Sequence, residues 1–268
     1  MKISIGQYVP GNSVFHRADP RTKILWTIAM MVLLLIINSF VGYAIAAVFV
    51  IVALIISRIN IGLILKSLKT VTFLIVFTMI LNLLFYKGET VLFTLWKFDI
   101  YLEGVMFSLK MIIRIILLIS ATSLLTFTTT SVMLTDGLER LLKPLTVFGF
   151  PAHDVSMMMS IALRFIPTFS EETDRIIKAQ SSRGADFDSP NLYEKIKSFV
   201  SILIPLFIGA FRRAEELATA MEAKCYRGGE GRTRLRVLKF SSADVVILIY
   251  SIIFLIFVIF EKIGWQWL

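Results

Sequence analysis

From Ile24 to Ser57 the chain carries no charged side chain. As a single helix rising ~1.5 Å per residue, this run would be about 50 Å long, well beyond the ~30 Å hydrocarbon core of a bilayer. It therefore predicts two membrane-spanning helices that fold back on each other, with the turn at Asn38-Ser39-Phe40-Val41-Gly42. The rest of the chain agrees: it is 57% hydrophobic with a mean hydropathy of +0.80, too apolar for a water-soluble globule of this length. The segment from Met1 to Lys23 lacks the short apolar core of a cleavable signal peptide, so the first span is expected to be retained.

The lead-in Gly6-Gln7-Tyr8-Val9-Pro10-Gly11 is rich in turn formers and is placed at the membrane surface. Asp19-Pro20 follows as a helix start, with Asp as N-cap and Pro in the first turn. Arg58, Lys66 and Lys69 read as a basic loop, which the positive-inside rule assigns to the cytosol. Thr70 to Tyr86 is the third predicted span, and Val105 to Thr129 the fourth. The mixed-charge segment between them, with Val91 to Trp96 at its centre, reads as a short hairpin or an interfacial stretch. Lys110 and Arg114 lie one turn apart in the fourth span. They have two readings: snorkelling to headgroups, which a position near the outer end favours, or a substrate path. Val245 to Phe260 is the last span, with Arg232, Arg234, Arg236 and Lys239 before it and Trp265 and Trp267 at its far interface. Five spans with the N-terminus inside leave the C-terminus outside.

Between Val132 and Phe240 lie 16 of the 28 basic and 13 of the 19 acidic residues, which marks this stretch as cytosolic. Leu134, Leu138, Leu141 and Leu145 form one stripe of a short surface helix that stops near Pro144 and Gly149. Two long helices follow, about Ala152 to Arg183 and Leu192 to Arg227, with Pro167 and Pro205 expected to kink them. Ser189-Pro190 is the expected restart of the second, and Gly209, Ala210, Ala214 and Ala218 would allow a close helix crossing. The expected fold is an all-α integral membrane protein with about five transmembrane helices plus a cytosolic coupling region of one short and two long, Pro-kinked helices. Residues 1–129 would form the N-terminal membrane domain, 130–240 the coupling helices and 241–268 the last span.

The two long helices end alike. Ala179-Gln180-Ser181-Ser182-Arg183-Gly184 and Ala223-Lys224-Cys225-Tyr226-Arg227-Gly228 are separated by a constant 44 positions, and Glu171-Glu172 and Glu215-Glu216 precede them at the same offset. Helix capping alone explains a single Arg-Gly, because Gly takes the left-handed C′ position and Arg faces the negative end of the dipole. It does not require the Ala four residues before Arg or the acidic pair further back. A duplicated frame points instead to two docking tips, each carrying a guanidinium fork to carboxylate or carbonyl groups of another protein.

Catalytic and metal chemistry find no foothold. The chain has one cysteine, Cys225, and two histidines, His16 and His153, so no internal disulfide forms and no Cys/His metal site is expected. There is no phosphate-binding Gly-Lys-Ser/Thr loop and no nucleophile-base spacing. The net charge of +9 fits the positive-inside rule and anionic headgroups better than nucleic acid. The functional alternatives from other classes are a self-contained channel or secondary transporter, with Lys110 and Arg114 on its path, and a membrane enzyme of unrecognised site.

The lead-in Gly6 to Gly11, the run His16-Arg17-Ala18-Asp19-Pro20-Arg21-Thr22-Lys23 and the paired Arg-Gly ends together resemble the transmembrane (T) component of energy-coupling factor transporters along nearly the whole chain. Ala18 departs from a larger aliphatic residue, and the ends read Ser-Arg-Gly and Tyr-Arg-Gly where Ala-Arg-Gly is common. The resemblance implies a non-catalytic subunit of an ATP-driven importer of vitamins or metal ions, with no cofactor of its own because ATP binds the partners. Those partners would be two cytosolic ATPase subunits and a membrane substrate-binding subunit, with no nucleic acid. It implies that Ala179, Arg183, Gly184, Ala223, Arg227 and Gly228 dock the ATPases. Met157, Met158, Ile161, Phe165, Pro167, Pro205 and Phe207, on the apolar halves of the long helices, would meet the substrate-binding subunit.

Overall fold

A computed structural model describes residues 8–95, 98–187, 189–228 and 240–264. The expectations for Gly6-Gln7, for Trp96, for the basic run Arg232 to Lys239 and for Trp265 and Trp267 lie outside them. The described elements are α1 (Val14–Arg17), α2 (Pro20–Ile36), α3 (Phe40–Ser57), α4 (Ile61–Phe85), β1 (Val91–Leu95), β2 (Phe98–Tyr101), α5 (Leu102–Thr128), α6 (Ser131–Leu142), α7 (Ala152–Ser182), α8 (Leu192–Ala223) and α9 (Ser242–Gly264), with a 3-10 turn at Lys143–Phe148 after α6. They group into two compact units, one of residues 8–137 with 240–264 and the other of residues 138–228.

The first unit holds the membrane spans. α3, α4, α5 and α9 are each long and apolar enough to cross a bilayer. With 17 residues, α2 sits at the lower limit of about 17–25 for a spanning helix. The uncharged run does fold back where expected. Asp19 caps α2, its carboxylate accepting from the Arg21 N–H with Pro20 in the first turn, and Ser39 caps α3 by accepting from the Gly42 N–H. Small residues let the helices close: Ala46, Ala53 and Ala121 are fully buried, alongside Tyr43, Leu34 and Phe254.

One expectation is corrected here, and one pair of alternatives is decided. Lys66 and Lys69 lie within α4 and not in a loop, because Asn60 caps the helix at Ile61 and nothing in Ile61 to Thr70 breaks it. The β-prone stretch is an antiparallel hairpin of β1 and β2 with an irregularity between Val91 and Phe93. α4 packs chiefly on α5, and its apolar window has no buried residue within this chain.

Buried charges cluster where α2 and α9 begin and α5 ends. Lys23, 1% exposed, donates to the Thr128 carbonyl at 3.0 Å and the Thr129 hydroxyl at 3.2 Å. The Asp19 N–H donates to Asp244 Oδ1 at 2.7 Å, while Asp244 Oδ2 accepts from the Ser241 N–H at 2.6 Å. Each buried ionic group thus meets hydrogen-bonding partners, the condition under which a charge is tolerated away from water. Arg114 answers its own question. Its guanidinium donates to the Tyr43 hydroxyl (2.8 Å), the Ile37 carbonyl (2.9 Å) and Asn38 Oδ1 (3.2 Å), so it closes the α2–α3 turn. Lys110 sits 5.0 Å from the Phe40 ring centroid.

α6 begins in this unit. Its buried positions are Thr135 and Gly137, whereas Leu138 and Leu145 of the expected stripe are exposed. A Cβ at Gly137 would stand 3.0 Å from Pro20 Cβ and 3.2 Å from Ile24 Cδ1, so it is the small residue, and not the leucines, that seats α6 against α2.

In the second unit α7 and α8 run antiparallel. Glu172 lies against Gly209 and Arg213, while Ile161 and Phe165 share a groove with Leu217 and Ala214. Both helices continue through their prolines, Pro167 and Pro205. One cap and two boundaries shift. α8 is capped by Asn191, accepting from the Tyr193 N–H, and not by Ser189, which bonds Glu194 Oε2 at 2.8 Å instead. α7 stops one residue earlier than expected, at Ser182, and α8 stops at Ala223, four residues before Arg227.

Candidate functional site: two arginine-bearing helix ends

The repeat in the sequence becomes two unequal ends in the structure. At the first, Arg183 is the C-cap of α7 and Gly184 takes the left-handed C′ position with φ +85°. The Gly184 N–H donates to the Ser181 carbonyl and the Ala185 N–H to the Gln180 carbonyl, both at 3.0 Å, the pairing of a Schellman motif. Ala179, Arg183 and Gly184 are all exposed.

The second end builds the same motif three residues earlier in the frame. Lys224 is the C-cap of α8 and Cys225 takes the C′ position at φ +54°, with Cys225 N–H to Glu222 O at 2.8 Å and Tyr226 N–H to Met221 O at 3.0 Å. Arg227 therefore lies past the cap, on a short extension that reaches Gly228 at φ +88°. Capping by Arg cannot account for this copy, because Arg227 is not in the last turn.

A left-handed cysteine is less favourable than a glycine, and its neighbour supplies the compensation. The Tyr226 hydroxyl lies 3.3 Å from His153 Nε2 and donates to Met157 Sδ at 2.9 Å. The ring nitrogen on the other side, Nδ1, lies 3.2 Å from Glu139 Oε1, and Glu139 Oε2 accepts from the Ser156 hydroxyl at 2.7 Å. Stopping α8 at Ala223 is what turns Tyr226 back onto α7. Beside it is a cavity of about 640 Å³ whose lining includes Arg164, Lys224 and Arg227 over Met157, Ile161 and Met221.

Because the helices are antiparallel, the two arginines project from opposite ends of the pair, separated by roughly 40 Å of helix at ~1.5 Å per residue. The crossing between them is held by small residues and one ion pair. Ala210, Ala214 and Ala218 line an apolar groove with Phe165 and Phe169. Arg213 reaches Glu172 at 2.6 Å and lies 4.9 Å from the Phe169 ring centroid. Glu172 and Glu216, equivalent in the repeat, thus differ: Glu172 bridges helices, while Glu216 is exposed.

The residues expected to meet a membrane partner separate into two groups. Met157, Ile161 and Phe165 face the α8 side of the pair. Met158 and Phe207 are each 62% exposed, Pro167 is exposed, and Pro205 is half-buried. Phe207 belongs to a longer stripe of exposed apolar residues on α8, with Tyr193, Ile196, Val200, Leu203 and Phe211, at the spacing of one helix face. The sequence reading missed His153 and Glu139. The only available signal was that His153 is one of two histidines, which served there only to exclude a metal site.

Residues 11–235 match the family profile CbiQ, described as "Cobalt transport protein". The chain is 53% identical over 257 residues to the energy-coupling factor transporter transmembrane protein EcfT of Ruminiclostridium cellulolyticum, covering 96% of each chain. It is 54% identical over 244 residues to that of Thermosediminibacter oceani, covering 91% of this chain and 92% of the other. To that of Bacillus subtilis it is 42% identical over 249 residues, covering 93% and 94%. With this coverage, the four long apolar helices and the paired helix ends, the chain belongs to the family of transmembrane (T) components of energy-coupling factor transporters.

Proposed function

We propose that this multi-pass membrane protein is the non-catalytic scaffold of an ATP-driven importer, joining two cytosolic ATPase subunits to a membrane substrate-binding subunit that carries a vitamin or metal ion. The observation that carries the reading is the placement of Arg183 and Arg227 at opposite ends of one antiparallel pair, each just at or beyond a Schellman stop. A guanidinium on a rigid helix end can fork onto carboxylates or carbonyls of a partner, and two ends about 40 Å apart suit two partner subunits. The exposed α8 stripe and Met158 are the surface assigned to the substrate-binding subunit. Unbranched, polarisable methionine adapts to more than one partner. In this reading the N-terminus and the α7–α8 pair are cytosolic, and the C-terminus is outside.

The channel reading has less to rest on, since Arg114 is spent on the α2–α3 turn and Lys110 lies against Phe40. Affinity purification of the tagged protein at native expression separates the two. The scaffold reading expects two ATP-binding subunits and a small membrane protein in the eluate, and no ion or solute flux from the protein reconstituted alone. Flux from the isolated protein, with no ATPase recovered, overturns it.

A further inference from the structure

The two helix ends differ in what holds them. The Arg183 end stops on backbone hydrogen bonds, and among the described residues no side-chain hydrogen bond or ion pair is recorded for Arg183. The Arg227 end is wired through side chains: Tyr226 to His153 and Met157 of α7, and His153 with Ser156 to Glu139 of α6. Glu139 is well shielded, its side chain 12% exposed, and His153 is 29% exposed, so water competes weakly for these bonds. An ionised carboxylate accepts only. Glu139 therefore fixes Nδ1 of His153 as a donor and turns Nε2 to the phenol, whose single proton is shared between Nε2 and Met157 Sδ. α6 is one continuous helix from Ser131 to Leu142. Its Gly137 sits against Pro20 and Ile24, two residues before Glu139 takes hold of α7.

We propose that Glu139, His153 and Tyr226 form a positioning relay that fixes the Arg227 tip to α6 while leaving the Arg183 tip free to swing, so that the two tips are mechanically unequal. The proposal rests on the docking reading for its consequence: the partner held by Arg227 is the registered one, and the partner held by Arg183 moves. These three residues touch no substrate; they act through Arg227.

The test uses the full-length chain in lipid nanodiscs and spin labels at the two ends. Cys225 is the only cysteine and is exposed, so it takes one label directly; Ser182→Cys in a Cys225→Ser background takes the other. Tyr226→Phe and Glu139→Gln, both close in shape to the native residue, are expected to shorten the label correlation time at position 225 about two- to fivefold and leave position 182 unchanged. Equal change at both ends, or none at 225, overturns the relay. In the assembled transporter the same variants are expected to keep both ATPases bound while lowering substrate moved per ATP at least threefold. If the mobility result holds but Arg227→Ala also retains both ATPases, the relay stands and the docking reading fails.

Discussion

Arg183 and Arg227 occupy equivalent places in the repeat and different places in the structure, and the difference lies in one residue, Cys225. Sequence rules put glycine at C′, and Gly184 obeys; at the second end the left-handed residue is a cysteine three positions before Gly228. No local rule selects it. The choice is made by Tyr226 finding His153 and Met157 on another helix, a tertiary preference invisible to periodicity. Cys225→Gly is therefore expected to stabilise this end, by about 1 kcal/mol, seen as slower amide exchange over 221–226. Arg114 shows the same limit: the two readings open from sequence were lipid and substrate path, and the structure gives it to the α2–α3 turn. Arg114→Ala removes the bonds to Asn38 and the Tyr43 hydroxyl and leaves the Ile37 carbonyl with the Tyr43 hydroxyl as its donor; it is expected to cost about 1–3 kcal/mol, measured as a lowered Tm in nanodiscs, with Lys restoring only part. His16 is neutral and hydrogen-bonded, its Nε2 donating to the Val9 carbonyl and Nδ1 accepting from Ser13, and burial pushes its pKa below the ordinary value. A base depressed on folding binds its proton more readily in the unfolded chain. Its contribution is thus present above pH about 6.5 and lost as pH falls below it. The protection factor of the Val9 amide, bonded to the Phe127 carbonyl at 3.0 Å, is expected to fall between pH 7 and 5.5.

At the scale of elements, the helices were legible wherever a cap and a charge-free run coincide: Asp19-Pro20, Ser39 and Gly184 each stop or start a helix by a bond the side chain or backbone itself supplies. Boundaries failed where tertiary or longer-range choices decide. α4 absorbs Lys66 and Lys69 because lysine stems tolerate a helix whose end reaches the headgroups, and Ser189 yields the cap of α8 to Asn191 while bonding Glu194. The leucine stripe of α6 was read correctly as a pattern, yet the buried face belongs to Thr135 and Gly137. At the α7–α8 crossing the small-residue spacing did foretell close approach. A Cβ at Gly209 would stand 3.2 Å from Glu172 Oε1. Gly209→Val is accordingly expected to displace that carboxylate from Arg213 and cost about 1–3 kcal/mol, while Gly209→Ala costs less because the carboxylate can shift by tenths of an ångström; thermal unfolding of the two variants ranks them.

For the whole molecule, the uncharged run and the duplicated ends implied a membrane bundle and a docking pair, and the family comparisons agree with a multi-pass transporter component. What the sequence could not convey is that the pair is asymmetric, one tip wired to α6 and the other free. The proposed orientation would put Cys225 in the cytosol, so a membrane-impermeant maleimide is expected to label inside-out vesicles and spare intact cells. Labelling from outside would reverse the topology. The central claim is that Arg183 and Arg227 are separate anchors, each for its own ATPase subunit. Loss of a charge-assisted contact of this kind costs about 2–5 kcal/mol, whereas a helix-dipole role is worth about 0.3–1 kcal/mol and is satisfied by Lys. The most direct measurement is transport-coupled ATP hydrolysis by the assembled complex in liposomes, comparing Arg183→Ala, Arg227→Ala and the two Lys variants. The account predicts that each Ala variant alone loses coupling more than tenfold and that Lys restores only a part. Near-normal coupling in either Ala variant, with the protein folded and inserted, would contradict it.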